Sequence, residues 1–242
     1  MPGEAPAIAL VLAGGLGTRM GRTKQFLEIG GKPALYHTLK AFEDAAHVGG
    51  IYAVGDGPRV EALAKGSGIS KYVRCGKAGD FRQLSTKSGL LLCDEDPDTV
   101  VLVHDGSRPL VTPTLIERVV EAALAEDRPD GVVPATRVSD TVKVEQGGEV
   151  VETLDRTQLR AVQTPQAFRL GYLRGLHDAT DEYLGAATDD ASLVEREGGR
   201  VVLVEGEKTN IKLTTPEDLI FAEAILATRG RGPLRRFVRE RH

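Results

Sequence analysis

The chain has 242 residues, of which 41% are hydrophobic and 27% charged, and its formal net charge is −4. That length fits one large α/β domain able to bury its core without disulfides, and the small charge gives no ground for a nucleic-acid or membrane partner. No stretch reaches the roughly 18 apolar residues of a membrane-crossing helix, no basic segment precedes the first apolar run to form a secretory signal, and Cys75 and Cys93 make neither a disulfide framework nor a metal cluster, so a reducing cytoplasm is the expected setting.

In chain order, residues 1–6 read as a tail, and AIALVLA at 7–13 as a short strand buried on both faces. A proline at 33 and the spacing of Leu35, Leu39, Phe42 and Ala46 predict a helix over 33–46. Gly49 and Gly50 close it, and IYAVG is the next strand. Residues 82–93 predict a helix with Leu84, Leu90 and Leu91 on or near one face. VVLVHD at 100–105 is a buried strand ending in polar residues. Thr112-Pro113 supplies an N-cap and a first-turn proline for a helix to about 126. GVVPAT is a further strand. Strands alternating with helices imply a parallel sheet with right-handed crossovers. TVKVE and EVVETL around Gln146-Gly147-Gly148 break that rhythm and predict an antiparallel β-arm over about 137–162. Two helices, the strand VVLVEG and a last helix opened by Thr215-Pro216-Glu217-Asp218 complete the domain. The expected fold is a three-layer α/β/α sandwich, Rossmann-like, with a mostly parallel sheet and a projecting arm. One domain spans 7–227, and 228–242 form a basic tail.

The segment LAGGLGTRMGRTKQ at 12–25 follows a buried strand directly. Glycines let backbone N–H groups approach an anion closely, and Arg19 and Lys24 lie within reach of the same anion. The dinucleotide fingerprint fails, because Met20 holds its third glycine position, and no P-loop run occurs.

L-A-G-G-x-G-T-R-M resembles the glycine loop of sugar-phosphate nucleotidyltransferases. Six further motifs narrow the resemblance. They are Gly79-Asp80-Phe81-Arg82-Gln83-Leu84-Ser85, Val103-His104-Asp105-Gly106-Ser107-Arg108-Pro109, Asp140-Thr141-Val142-Lys143, Asp155-Arg156 with Thr164-Pro165-Gln166, Thr188-Asp189-Asp190-Ala191-Ser192, and Gly206 with Asn210-Ile211-Lys212-Leu213-Thr214. In that order they are similar to the 2-C-methyl-D-erythritol 4-phosphate cytidylyltransferase family. Ala78, Phe81 and Leu84 depart from its usual base-reading segment.

The resemblance implies transfer of CMP from CTP to 2-C-methyl-D-erythritol 4-phosphate, with Mg²⁺ or Mn²⁺ as cofactor, in non-mevalonate isoprenoid precursor synthesis. It implies Arg19, Lys24 and Lys212 at the phosphates and the transition state. Ala13, Gly14 and Gly15 would line the nucleotide, Gly79, Asp80 and Ser85 the cytosine, and Asp105 and Gly106 the ribose. Asp105 would also help place the metal, which is held mainly by CTP. Arg108, Thr141, Arg156, Thr164 and Thr188 would meet the acceptor, with Arg156 also catalytic. Thr141 and Arg156 sit on the arm, which in this family crosses to a partner subunit, so a homodimer is implied. Ribitol 5-phosphate or another pentitol phosphate is the alternative acceptor, and a non-catalytic nucleotide-binding protein the distant one. His104 is expected to be structural.

Overall fold

The computed structural model describes residues 6–15 and 24–229. Arg19 lies outside the described residues, as do the tail over 1–5 and the basic residues from 230 on.

β1 (Ala7–Ala13) is buried along its whole length, as its unbroken apolar run predicts. A short 3-10 segment, Lys24–Phe26, leads into a small antiparallel ribbon of β2 (Glu28–Ile29) and β3 (Lys32–Pro33). α1 (Ala34–Asp44) buries Leu35, Leu39 and Phe42, with Pro33 as its N-cap rather than its first residue. Ala46 is exposed beyond the helix, and Ala45 takes the buried place. β4 (Val48–Gly55) begins earlier than expected. Gly49 and Gly50 are strand residues, because β1 pairs from the very start of β4, Ala7 opposite Val48 and Ile8 opposite Gly50, with a register shift between the two pairs. A Cβ at Gly50 would stand 3.3 Å from Val73 Cγ2 on the next strand.

α2 (Gly57–Gly66), capped by the Asp56 side chain, and β5 (Tyr72–Gly76) are new relative to the sequence reading. α3 (Arg82–Leu90) buries Leu90, whereas Leu91 is 75% exposed. β6 (Val100–Asp105) is wholly buried. α4 (Pro113–Ala123) starts on the expected cap, with Thr112 Oγ1 accepting from the Leu115 N–H at 3.1 Å. β7 (Gly131–Arg137) precedes the arm. The arm is a separate hairpin of β8 (Lys143–Gln146) and β9 (Glu149–Thr153), exposed throughout. Gly147 and Gly148 turn it with φ of 62° and 87°, a conformation that glycine adopts without a Cβ clash.

β10 (Arg160–Val162) and β11 (Gln166–Arg169) return along β7, with the cis Thr164–Pro165 peptide between them. Three helices follow where two were expected: α5 (Leu170–His177), α6 (Asp181–Gly185) and α7 (Asp190–Arg196). β12 (Val201–Glu205) and α8 (Pro216–Arg229) end the described chain.

The main sheet runs β5-β4-β1-β6-β11-β7, with β12 on the far side of β7. All its pairs are parallel except those made by β10 and β11. Alternation along β1 assigns the two core faces. Ala7, Ala9, Val11 and Ala13 join one cluster with residues of α1, α2 and α4. Ile8, Leu10 and Leu12 join another with residues of α3, α5 and α7. Side chains of a strand point to opposite faces in turn, so helices cover both sides and the three-layer sandwich follows. Burying one leucine such as Leu10 contributes about 1.5–3 kcal/mol.

Candidate active site

In an open parallel sheet, ligands bind beyond the carboxyl ends of the strands. A cleft of about 650 Å³ lies there, over the ends of β1 and β6, within the usual volume range of small-molecule sites. It is lined by Gly14 and Gly15 after β1, by Lys24, by Gly79, Asp80, Arg82 and Ser85 around the start of α3, and by Asp105 and Lys212. The sequence reading drew these residues from four separate motifs.

Asp105 is the electrostatic centre of the cleft. It ends β6 and is 8% exposed. Its Oδ1 accepts from Arg82 Nε at 3.1 Å, its Oδ2 accepts from Lys212 Nζ at 2.8 Å, and Arg108 Nε stands 4.0 Å from Oδ2. Burial alone would raise the carboxyl's pKa, but Arg82 and then Lys212 and Arg108 hold it well below the usual carboxylate range. Asp105 is therefore ionised at neutral pH. Gly106 follows, and its N–H donates to Leu12 O at 2.9 Å, locking the ends of β1 and β6 together.

The base-reading segment is folded on itself. Gly79 N–H donates to Ser85 Oγ at 3.1 Å, and that hydroxyl lies 3.2 Å from Phe81 O. A Cβ at Gly79 would stand 2.4 Å from Leu84 Cβ and 2.7 Å from the Leu84 carbonyl carbon, so only glycine fits this turn. Ala78, one of the departures from the family pattern, packs against the glycine loop. A Cβ on Gly14 would stand 2.1 Å from Ala78 Cβ. Asp80 is exposed in the cleft. Ala13 is buried at the end of β1.

Lys24 and Lys212 meet through one loop. Lys24 Nζ donates to Leu213 O at 3.3 Å and to Thr214 O at 3.2 Å, just past Lys212. That loop is pinned from behind by the buried Asn210. Its Nδ2 donates to Thr164 O at 2.9 Å, while Gln163 Nε2 donates to Glu207 O at 2.8 Å.

The expected acceptor residues are distributed differently. Arg108 is held by carbonyls, with Nη1 donating to Asn210 O at 2.9 Å and Nη2 to Val162 O at 3.4 Å. Thr164 is buried, and its hydroxyl is already engaged. It accepts from the Asp105 N–H at 3.1 Å and bonds His104 Nδ1 at 3.0 Å, which holds the end of β6. Thr188 is exposed and outside the cleft lining, one residue before Asp189, which caps α7. Thr141 and Arg156 are exposed on the arm and do not line this chain's cleft. Arg156 Nη1 donates to Ser139 O at 2.6 Å, which braces the base of the arm.

The sequence reading missed a second carboxylate behind the cleft. Arg82 Nη1 donates to Asp190 Oδ2 at 2.6 Å, and Asp190 Oδ1 pairs with His177 Nε2 at 3.0 Å. Both Arg82 and Asp190 stood inside quoted motifs, but no spacing rule joins residues 108 positions apart. His104 is structural, as expected. It is fully buried, lies edge-on to Phe42, and bonds Arg108 O at 3.2 Å through Nε2.

A glycine turn and several fixed cations at the carboxyl edge of a mostly parallel sheet suit transfer between phosphates, and the chain is a nucleotidyltransferase. The family model described as IspD, 2-C-methyl-D-erythritol 4-phosphate cytidylyltransferase, matches residues 7–228. The chain belongs to that family. A relative of that name from Rubrobacter xylanophilus is 61% identical over 225 residues, covering 93% of this chain and 96% of its own. One from Geobacillus kaustophilus is 46% identical, covering 91% and 97%. The crystal structure of the Thermus thermophilus enzyme of that name is similar with a TM-score of 0.73 at 35% identity, covering 91% of this chain and 99% of that one.

Proposed function

We infer that the chain transfers CMP from CTP to 2-C-methyl-D-erythritol 4-phosphate, releasing pyrophosphate and giving 4-diphosphocytidyl-2-C-methyl-D-erythritol for isoprenoid precursors. Family membership over nearly the whole chain carries this reading. It favours methylerythritol phosphate over ribitol 5-phosphate as the acceptor.

In this reading an oxygen of the acceptor's phosphate attacks the α-phosphorus of CTP. The new P–O bond forms as the bond to the β-phosphate oxygen breaks, and pyrophosphate carries away the electron pair. A phosphate monoester is largely dianionic at neutral pH, so the nucleophile needs no general base. The chain's task is to bring anions together and to stabilise charge on the α-phosphoryl oxygens. Arg19, Lys24 and Lys212 take that role. Ala13, Gly14 and Gly15 line the nucleotide, and Gly79, Asp80 and Ser85 read cytosine. Asp105 and Gly106 meet the ribose.

Mg²⁺ or Mn²⁺ would be held chiefly by the CTP phosphates. No group of three or more metal-ligating side chains occurs among the described residues, but such a site needs only a carboxylate or two, and the ionised Asp105 fits it. The bound metal would draw charge from the phosphates. Arg108, Thr164 and Thr188 belong to the acceptor side, with Thr141 and Arg156 reaching a partner subunit's acceptor through the arm. Exposed Val144, Val150 and Val151 on the hairpin support that docking. A dimer in sedimentation equilibrium is expected, and a monomer at assay concentration would contradict the shared site. Residues 7–227 act as one catalytic unit, with the arm over 137–162. No described helix is long and apolar enough to cross a membrane. The unbridged Cys75 and Cys93 suit the cytoplasm.

Nucleotide choice tests the site. With methylerythritol phosphate as acceptor, CTP is expected to support turnover at least about tenfold faster than UTP, ATP or GTP, since lost hydrogen bonds to a base carry penalties of that size or more. Equal rates with UTP would remove Gly79, Asp80 and Ser85 from base reading.

A further inference from the structure

Asp190 is fully buried and carries a charge that the proposed chemistry does not use. It opens α7, and neither it nor His177 lines the cleft. Burial would raise its pKa, but Arg82 and His177 hold it below the ordinary carboxylate value. The helix start that carries Asp190 is fixed to β11. Asp189 Oδ1 accepts from the Ser192 N–H at 2.9 Å, Gln166 Nε2 donates to Asp189 Oδ2 at 2.6 Å, and the Ala191 N–H donates to Gln166 Oε1 at 3.3 Å.

Arg82 joins this frame to the cleft. Its Nη1 is on Asp190 and its Nε on Asp105, while Nη2 is buried with no hydrogen-bond partner among the described residues. A guanidinium is a rigid plane, so these two carboxylates define its orientation. With Asp190 in place, Arg82 occupies only Oδ1 of Asp105 and leaves Oδ2 to Lys212. Without Asp190, the fork is tied to Asp105 alone. A bidentate grip on both oxygens then becomes the favoured geometry, and it displaces Lys212.

We propose that Asp190, backed by His177, is a positioning residue for nucleotide binding, acting through Arg82 on the orientation of Asp105. The inference rests on Asp105 as the ribose contact. Its effect falls on CTP and leaves the acceptor nearly untouched.

The test uses the full chain, with CTP and Mg²⁺ titrated by calorimetry and KM measured for both substrates. In Asp190→Asn, an isosteric change, the Kd and KM for CTP are expected to rise about tenfold, one charge-assisted contact's worth of orientation. The KM for the acceptor should stay within about twofold, because no acceptor contact is lost. Asp105→Asn is measured beside it. Unchanged CTP affinity in folded Asp105→Asn would mean that the ribose reading itself is wrong. Weakened CTP binding there, with wild-type affinity in folded Asp190→Asn, would overturn the positioning role alone.

Breaking a buried pair can destabilise a protein. Arg82→Lys therefore decides the matter if Asp190→Asn fails to fold, since it keeps the cation and both carboxylates but loses the planar fork that ties them together. It is expected to bind CTP about tenfold more weakly, with the KM for the acceptor within about twofold. Wild-type CTP affinity in folded Arg82→Lys would overturn the inference.

Discussion

Lys212→Ala is expected to lower kcat by about 10²–10³-fold, the usual loss when one preorganised donor to a developing phosphoryl charge is removed. Lys212 reaches the cleft from a loop pinned by Asn210 and Gln163, and its ammonium already stands 2.8 Å from Asp105 Oδ2. Its side chain is 43% exposed, so its loss removes little packing. Asp105 keeps Arg82 after the change, and the fold should hold. Lys24→Ala is expected to act in the same direction, since Lys24 is docked on the carbonyls just after Lys212. Steady-state kinetics paired with a thermal melt check both. Near-normal turnover in either folded variant removes that lysine from the transition state.

Acid sensitivity of the fold should centre on His104. Burial pushes its pKa down from 6.5 to about 4, while hydrogen bonds to Thr164 and Arg108 O fit the neutral ring. In the unfolded chain the ring titrates near its ordinary value, so between pH 6.5 and 4 the unfolded state binds a proton that the native state refuses. Stability is then complete above pH 6.5 and falls as pH drops toward 4. The loss is about 3 kcal/mol at about 1.4 kcal/mol per pH unit. Asp105 and Asp190 also lose their contribution in acid, but only below their unfolded value of 3.8, outside most of this window. Urea denaturation of the metal-free protein at pH 7.5 and 4.5 is expected to show this drop, and His104→Gln to remove most of it. A flat wild-type profile, or an unchanged slope in the variant, would contradict this origin.

The core strands and the arm were legible because their patterns are local. β1 is an unbroken apolar run, β6 an apolar run that ends in His104 and Asp105, and the hairpin announces itself by Gly147-Gly148 between β-prone pieces. β5 was hidden for a physical reason. YVRCG is a half-exposed edge strand with an arginine and a glycine, so neither alternation nor an apolar run marks it. β11 was hidden because QAFR is short and begins with a glutamine. That residue is 1% exposed because its amide ties Asp189 and Ala191 to the sheet.

The site divides in the same way. Gly14, Gly79, Asp105 and Lys212 were found because each lies in a motif with a recognisable spacing, and they converge on one cleft. The contacts of the Thr164 hydroxyl with His104 and the Asp105 N–H, which hold the end of β6, are not announced by its motif. A hydroxyl's partner depends on which strands become neighbours, and spacing alone does not carry that. The link from Arg82 to Asp190 and His177 was out of reach for the same reason, since it joins α3, α7 and α5 across one end of the sheet.

The most direct test of the proposed reaction is pyrophosphate release from CTP and Mg²⁺, with 2-C-methyl-D-erythritol 4-phosphate and ribitol 5-phosphate offered in parallel. Rapid release with methylerythritol phosphate, and little with ribitol 5-phosphate, is the predicted result. Preference for ribitol 5-phosphate, or no release with methylerythritol phosphate, would contradict it.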